Sequence, residues 1–205
     1  MKKLALALAV LCCSVWGGDP KYFIGASLDF GFPTFEVKTM ESGNTSTPVS
    51  LEGKSYMVSF SGGVEQFWDG GEFVGGRALG EFGLGGADMG GEATGAFSLF
   101  GALDLLVDFY KGGDMNLGIF GGFEYGMRFL VSDKYTQGYQ LKSETYGAYW
   151  RVGGSVVVGD IHRFEIMYRS PISPLAIPTQ KEGFSSVHQV FAGPQISVGY
   201  KVYIW

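Results

Sequence analysis

The sequence predicts an all-β fold: an eight-stranded antiparallel up-and-down transmembrane β-barrel, preceded by a signal peptide. Three observations lead there. From about Lys21 to Trp205, apolar residues alternate with polar residues or glycine over eight stretches. The polar breaks between these stretches are long and short in turn. After the first residues, no apolar run approaches the ~18 or more residues of a membrane helix, so a chain that crosses a bilayer must do so as a closed barrel.

The amino terminus is read separately. Met1-Lys2-Lys3 and the apolar run Leu4 to Leu11 have the charged and hydrophobic regions of a secretory signal, with Val15 and Gly17 flanking a cleavage point. This divides the chain into a cleaved signal peptide, residues 1–18, and one barrel domain, residues 19–205. Both cysteines, Cys12 and Cys13, fall in the signal, and neither follows the small residue that a lipidation site requires. The mature chain is therefore expected to have no disulfide. Of the 15 basic residues, Lys2 and Lys3 leave with the signal, so 13 face 20 acidic residues, a net charge of −7. That balance gives no support to nucleic-acid binding.

The first strand is expected over Tyr22 to Phe32, with Tyr22, Ile24, Ala26, Leu28, Phe30 and Phe32 on the outer face and Asp29 on the inner. The second, Ser55 to Phe67, turns Tyr56, Val58, Phe60 and Val64 outward and Ser59, Ser61 and Glu65 inward. Glycine weakens the third, Phe73 to Gly85, yet Arg77 and Glu81 share one face and Ala78, Phe82 and Leu84 the other. The fourth, Ala93 to Asp108, opposes Phe97, Leu99, Leu103, Leu105 and Val107 to Ser98, Ala102 and Asp104. The fifth has the clearest alternation: Leu117, Ile119, Gly121, Phe123, Tyr125, Met127 and Phe129 against a face carrying Glu124 and Arg128. The sixth, Tyr146 to Val158, carries Arg151 and Ser155 inward; the seventh, Arg163 to Arg169, carries Arg163, Glu165, Met167 and Arg169. The last places Ile196, Val198, Tyr200, Val202 and Ile204 outward.

Alternate breaks are expected at Pro33 to Lys54, Gly86 to Glu92, Ser132 to Thr145 and Ser170 to Ser185, most of them long. Compact turns are expected at Asp69-Gly70-Gly71, Lys111-Gly112-Gly113-Asp114 and Gly159-Asp160, with the residues that tight hairpins need. Phe67, Trp68, Phe73, Phe109, Tyr110 and Phe164 form an expected aromatic band at the short-turn end. Phe32, Phe35, Tyr56, Phe129, Tyr135, Tyr146 and Tyr168 form another at the long-loop end. A soluble lipocalin-like barrel would show the reverse pattern, apolar inside and polar outside.

On these residues the chain resembles the small eight-stranded outer-membrane barrels of Gram-negative bacteria, the class that includes the OmpA and OmpX barrels. The resemblance implies integral residence in the cell outer membrane after export through the general secretory pathway, with outer-membrane lipid as a partner. The ending Gly199-Tyr200-Lys201-Val202-Tyr203-Ile204-Trp205 is similar to the terminal signal read by the barrel-assembly machinery. It departs in one respect: Ile204, Val202 and Tyr200 hold the lipid-facing register and Trp205 falls opposite.

An eight-stranded barrel is just wide enough for side chains to fill its interior. The expected lumen network is Arg77, Glu81, Asp104, Glu124, Arg128, Arg151, Arg163, Glu165 and Arg169, with Asp29, Glu65 and Lys201 on the same faces. Because isolated buried charges each cost several kcal/mol, pairing is expected and a wide pore is not. The leading expectation is a structural or surface-interaction protein, not an enzyme, with a closed or nearly closed charged lumen. A narrow ion or small-solute channel is the alternative, and a lipid-modifying enzyme ranks below it. The deacylase pattern of such enzymes sets His two residues before Ser, whereas Phe164 follows His162 at that distance and Val190 follows His188. No cofactor or metal is expected from two histidines and no mature cysteine. Loops 33–54, 132–145 and 170–185 are left as the surfaces for an extracellular ligand. In the last, Pro171, Pro174 and Pro178 stiffen Ile172, Leu175 and Ile177 into an expected lid or recognition surface.

Overall fold

A computed structural model describes residues 19–41, 44–45, 49–89, 92–131, 135–136, 139–140, 143–172, 175–181, 184–191 and 193–204. The signal segment and Trp205 lie outside them. In chain order the strands are β1 (Lys21–Gly31), β2 (Thr34–Glu41), β3 (Asn44–Thr45), β4 (Val49–Phe67) and β5 (Val74–Met89). They continue with β6 (Glu92–Gly112), β7 (Met115–Val131), β8 (Tyr135–Thr136), β9 (Tyr139–Gln140) and β10 (Ser143–Val158). The last are β11 (His162–Pro171), β12 (Leu175–Lys181), β13 (Phe184–Phe191) and β14 (Gln195–Ile204).

Eight of these close on themselves. Antiparallel pairing runs β1, β4, β5, β6, β7, β10, β11, β14 and back to β1, leaving no free edge within the barrel. Alternation decides which face meets which medium. Leu103, Phe123, Tyr125 and Ile166 are 60–67% exposed on the outside, and Glu65, Arg163 and Arg169 are at most 1% exposed inside. An apolar exterior around a charged interior is the arrangement that lipid, not water, stabilises.

The short turns follow from residues able to take a left-handed backbone. Gly159 and Asp160, at φ 61° and 56°, form the tight β10–β11 connection, and Gly113, at φ 59°, closes β6–β7. Between β4 and β5, Trp68 N–H bonds to the Val74 carbonyl at 2.8 Å and Glu72 N–H to that of Asp69 at 2.9 Å.

The other end departs from the expected loops. The break at Gly86 to Glu92 is compact, because β5 continues to Met89 and β6 begins at Glu92. The break at Ser132 to Thr145 shortens, since β7 runs to Val131, β10 starts at Ser143, and β8 and β9 pair between them. The break at 33–54 contains β2 and that at 170–185 contains β12, while β13 begins at its end and runs on to Phe191: β2 pairs with the start of β4 and with β13, and β13 pairs with β12. The proline-containing segment is thus part of a sheet: Pro178 lies within β12 opposite Val187.

These strands prolong the barrel on one side. β2 follows β1 after Pro33, β12 follows β11, and β13 precedes β14, so the wall rises from four neighbouring staves: β4, β1, β14 and β11. Its far strand, β12, comes back alongside β10. At the junction with β14, a Cβ on Gly193 would fall on the Phe32 carbonyl, so only glycine fits this crossing.

Candidate functional site: the lumen network

Successive inward positions of neighbouring staves stack charge on charge. On the short-turn side, Arg77 on β5 donates Nε–H to Asp104 of β6 at 2.7 Å, and its Nη1 reaches Glu165 across the barrel on β11. Glu65 accepts from Arg163 Nη1 at 3.0 Å and from the Tyr203 hydroxyl at 2.5 Å, and lies 3.4 Å from Arg77. Lys201 donates to the other Glu165 oxygen, and Asp108 lies 3.8 Å from Arg163.

Arg169 organises the opposite end. Its Nη1 donates to Glu81 at 2.8 Å and approaches Glu124 at 3.3 Å, its Nη2 lies 3.3 Å from Asp29, and its Nε–H bonds to Gln195 at 2.7 Å. Ser59 completes Asp29 by donating its hydroxyl. Arg151 joins the two halves, 3.1 Å from Asp104 and 3.2 Å from Glu124. Arg128 is buried on the same face, opposite Ser98 of β6.

Aromatic rings fill what the charges leave. Phe120 lies under the Arg77 guanidinium at 4.4 Å, and Phe100 under that of Arg169 at 5.6 Å. Phe100 in turn meets Tyr149 edge-on at 5.4 Å. Glycine makes room for one pair in particular. Gly122 stands in register between Asp104 and Arg151, and a Cβ there would fall on the Leu103 carbonyl and the Asp104 carboxylate.

A turn covers the short-turn mouth. Lys111 donates to the Gly71 carbonyl at 2.8 Å, and both Lys21 and Lys111 reach Glu72, at 3.2 and 3.4 Å. Both ammonium groups also lie over the Phe67 ring, at 5.6 and 5.5 Å. Phe67 is therefore a lumen residue, buried among Leu106, Phe120 and Met167, and not part of the interfacial band. Its odd-numbered register, shared with Glu65, signalled this. Burial acts to raise the Glu72 pKa, but the two lysines together hold it below the usual glutamate range. Asp69, accepting from Val74 N–H at 2.7 Å, is likewise lowered by backbone donors, with that bond the largest cause.

All nine predicted lumen residues are buried, and the contacts above join Arg77, Glu81, Asp104, Glu124, Arg151, Arg163, Glu165 and Arg169 into one connected array. The sequence reading left out Asp108, Phe100, Tyr149 and Tyr203. Each sits on the even or odd register of a strand already assigned, so alternation alone would have found them. Among the described residues the lumen holds seven carboxylates (Asp29, Glu65, Glu81, Asp104, Asp108, Glu124, Glu165) against six cations. A cavity of about 20 Å³ beside Ser27, Ser61, Ser197, Glu81 and Lys201 has room for a water or two. Among the described residues no group of three or more His, Cys, Asp or Glu could hold a metal ion. His162 lies exposed at the short-turn end, its Nδ1 2.7 Å from the Tyr200 hydroxyl. His188 belongs to β13, opposite Val37 and Ile177.

Neither a protein-family model nor a curated protein matches the sequence. Solved structures do match. The outer membrane protein OprG from Pseudomonas aeruginosa aligns with a TM-score of 0.61 at 11% identity, over 92% of this chain and 98% of its own. This chain has the fold of the outer-membrane β-barrels. Neisserial surface protein A aligns at TM-score 0.45 and 12% identity, over 89% of this chain and 97% of that one. The outer membrane enzyme PagL aligns at 0.42 and 13%, over 84% and 99%. At 11% identity the match to OprG shows the fold alone.

Proposed function

We propose that the chain is an integral outer-membrane barrel whose lumen is a sealed plug and whose working surface is the four-stranded wall built from β2, the start of β4, β12 and β13. The observation that carries this reading is the burial of the lumen charges. Glu65, Arg77, Arg163 and Arg169 are at most 2% exposed, shut off from solvent, and each is paired. Such a plug, with the apolar clusters packed between its charges, fixes the register of the eight staves, and it opposes the passage of ions.

The wall supports a surface-interaction role because it extends the chain beyond the charged plug on the side where the long connections lie. Outer-membrane barrels place long connections outside and short turns in the periplasm, which sets the wall on the cell surface. Delivery through the secretory pathway and insertion by the barrel-assembly machinery, reading β14, belong to the same proposal. A non-enzymatic role is supported by the two histidines: His162 is engaged with Tyr200 on the outer face, and no serine stands two residues after either.

Two measurements test the reading. On intact cells trypsin is expected to cut at Lys134, Lys142 or Lys181 and to spare Lys111; the opposite pattern inverts the topology. In planar bilayers the purified protein is expected to add no conductance above background, and stable single-channel steps would replace the plug with a channel.

A further inference from the structure

Resting on the sealed plug proposed above, we infer that the β4–β5 turn is a lid on the lumen's short-turn mouth, latched by Glu72 to Lys21 and Lys111 and opened by acid. The three short connections are not held alike. β6–β7 and β10–β11 turn within two and three residues, 113–114 and 159–161, and are tied to each other where Gly159 N–H donates to the Asp114 carbonyl at 2.8 Å. The β4–β5 connection takes six residues, 68–73. Inside it Asp69 accepts from Val74 N–H and Glu72 N–H donates to the Asp69 carbonyl, while the Phe73 carbonyl accepts from Asp108 N–H of β6. Among the described residues, side chains alone tie its tip, Asp69 to Glu72, to other staves: Lys111 on the Gly71 carbonyl, and Lys21 and Lys111 on the Glu72 carboxylate.

This latch works against the backbone. Glu72 has φ 55°, and the other non-glycine with positive φ among the described residues is Asp160, a residue type that takes the left-handed region far more readily than glutamate. Such a conformation persists where surrounding contacts impose it, and two ammonium groups on one carboxylate supply them. Beneath the tip a cavity of about 10 Å³, room for one water, is lined by Glu72, Lys21 and Lys111 together with Phe67, Arg163 and Tyr203. The tip thus stands between the lowest lumen charges and the water outside. Freeing it lets water reach Phe67 and Tyr203, both buried while it is closed.

The charged and titratable groups around Glu72 are Lys21 of β1, Lys111 and Asp108 of β6, Asp69 beside it in the turn, and Asp160, Arg163 and Tyr203 across the cavity. Lysine and arginine stay charged throughout the acid range, so the carboxylates decide the response. Burial acts to raise the Glu72 pKa, but the two lysines hold it below the usual glutamate range. The latch is therefore complete above the ordinary glutamate value and is lost as pH falls through the lowered one. In the described contacts Glu72 is the acid that bridges the tip to other staves; Asp69 caps its own turn, and Asp108 lies 3.8 Å from Arg163.

The test is hydroxyl-radical footprinting of the full chain in lipid nanodiscs, read by mass spectrometry from about pH 7 to about pH 2, well below the ordinary glutamate value. Relative to the exposed Met115, oxidation of Phe67 and Tyr203 is expected to rise about threefold on acidification, the scale of a partly exposed ion-pair cluster, while Phe100 and Tyr149 at the Arg169 end stay protected. In Glu72→Gln the raised level is expected already at neutral pH with no further response, and Lys111→Met reproduces it from the other side of the latch. Asp69→Asn and Asp108→Asn are expected to keep the wild-type response. A flat wild-type profile overturns the inference, as does a response that Glu72→Gln retains, one that Asp69→Asn or Asp108→Asn abolishes, or a rise of Phe100 and Tyr149 in step with Phe67. Conductance at neutral pH would instead strike the plug itself, so the two failures are read apart.

Discussion

The lower barrel and the upper wall are made from the same staves, yet they distribute polarity in opposite senses. In the lower barrel Phe30, Phe60 and Ile166 face outward and Asp29, Glu65 and Glu165 inward. In the first rows of the wall the outer register holds Glu36 and Glu52, and the register continuous with the lumen holds Phe35 and Leu51, with Thr39 and Ser186 beyond them. The backbone pattern is shared; the surrounding medium is what changes. Lipid demands an apolar outside and leaves charge to be satisfied internally, whereas water rewards the reverse. On the surface placement proposed above, the bilayer is expected to end at the rim near Pro33 and Gly193.

The sharpest way to break this contrast is at the lumen. Arg169→Met leaves Glu81, Glu124 and Asp29 without their shared cation, and a destabilisation of about 3–5 kcal/mol is expected from an orphaned buried charge. Urea-dependent refolding into lipid vesicles measures it. Next comes the lipid face. Leu103→Arg is expected to cost about 2–4 kcal/mol near the membrane midplane, whereas Gln189→Arg, on the outer register of the wall, is expected to stay within about 0.5 kcal/mol. Equal costs at the two sites would erase the proposed boundary.

Smaller effects sharpen it. Gly122→Ala forces a Cβ into the Asp104 and Arg151 pair, and overpacking of this kind costs about 1–3 kcal/mol. The Glu72 cluster at the short-turn mouth is partly exposed, so Glu72→Gln is expected to cost only about 0.2–1 kcal/mol. Its pH dependence has a defined sign. The folded pKa of Glu72 is lowered, so its stabilisation is present above the ordinary glutamate value and is lost as pH falls through the lowered one. Acid titration of refolding yield should be flatter in the variant over that acidic window.

Alternation made most of the barrel legible. Every charged residue placed inward by it, from Asp29 to Lys201, is buried. It could not say which charges meet, because Arg77 with Glu165, and Arg163 with Glu65, lie on staves that do not pair and far apart in sequence. The wall strands were hidden for another reason. Thr34 to Glu41 alternates as clearly as any stave, but a stretch with polar residues facing water and flanked by Pro33 reads as a loop when lipid-facing hydrophobicity is the guide. Phe67 was misplaced by its position at a strand end, although its register pointed inward.

The pairing of β2 with β13 also bears on how the chain assembles. Thr34 to Glu41 is made early and Phe184 to Phe191 nearly last, yet each lies directly above the β1–β14 seam that closes the cylinder. Closing so long a loop is entropically costly and slow. A nascent or partly inserted chain therefore carries an unmated strand edge at its surface until the final hairpin arrives. Seam and wall are then expected to close together, and the folding rate should respond more to changes at Gly193 than to any in the staves between.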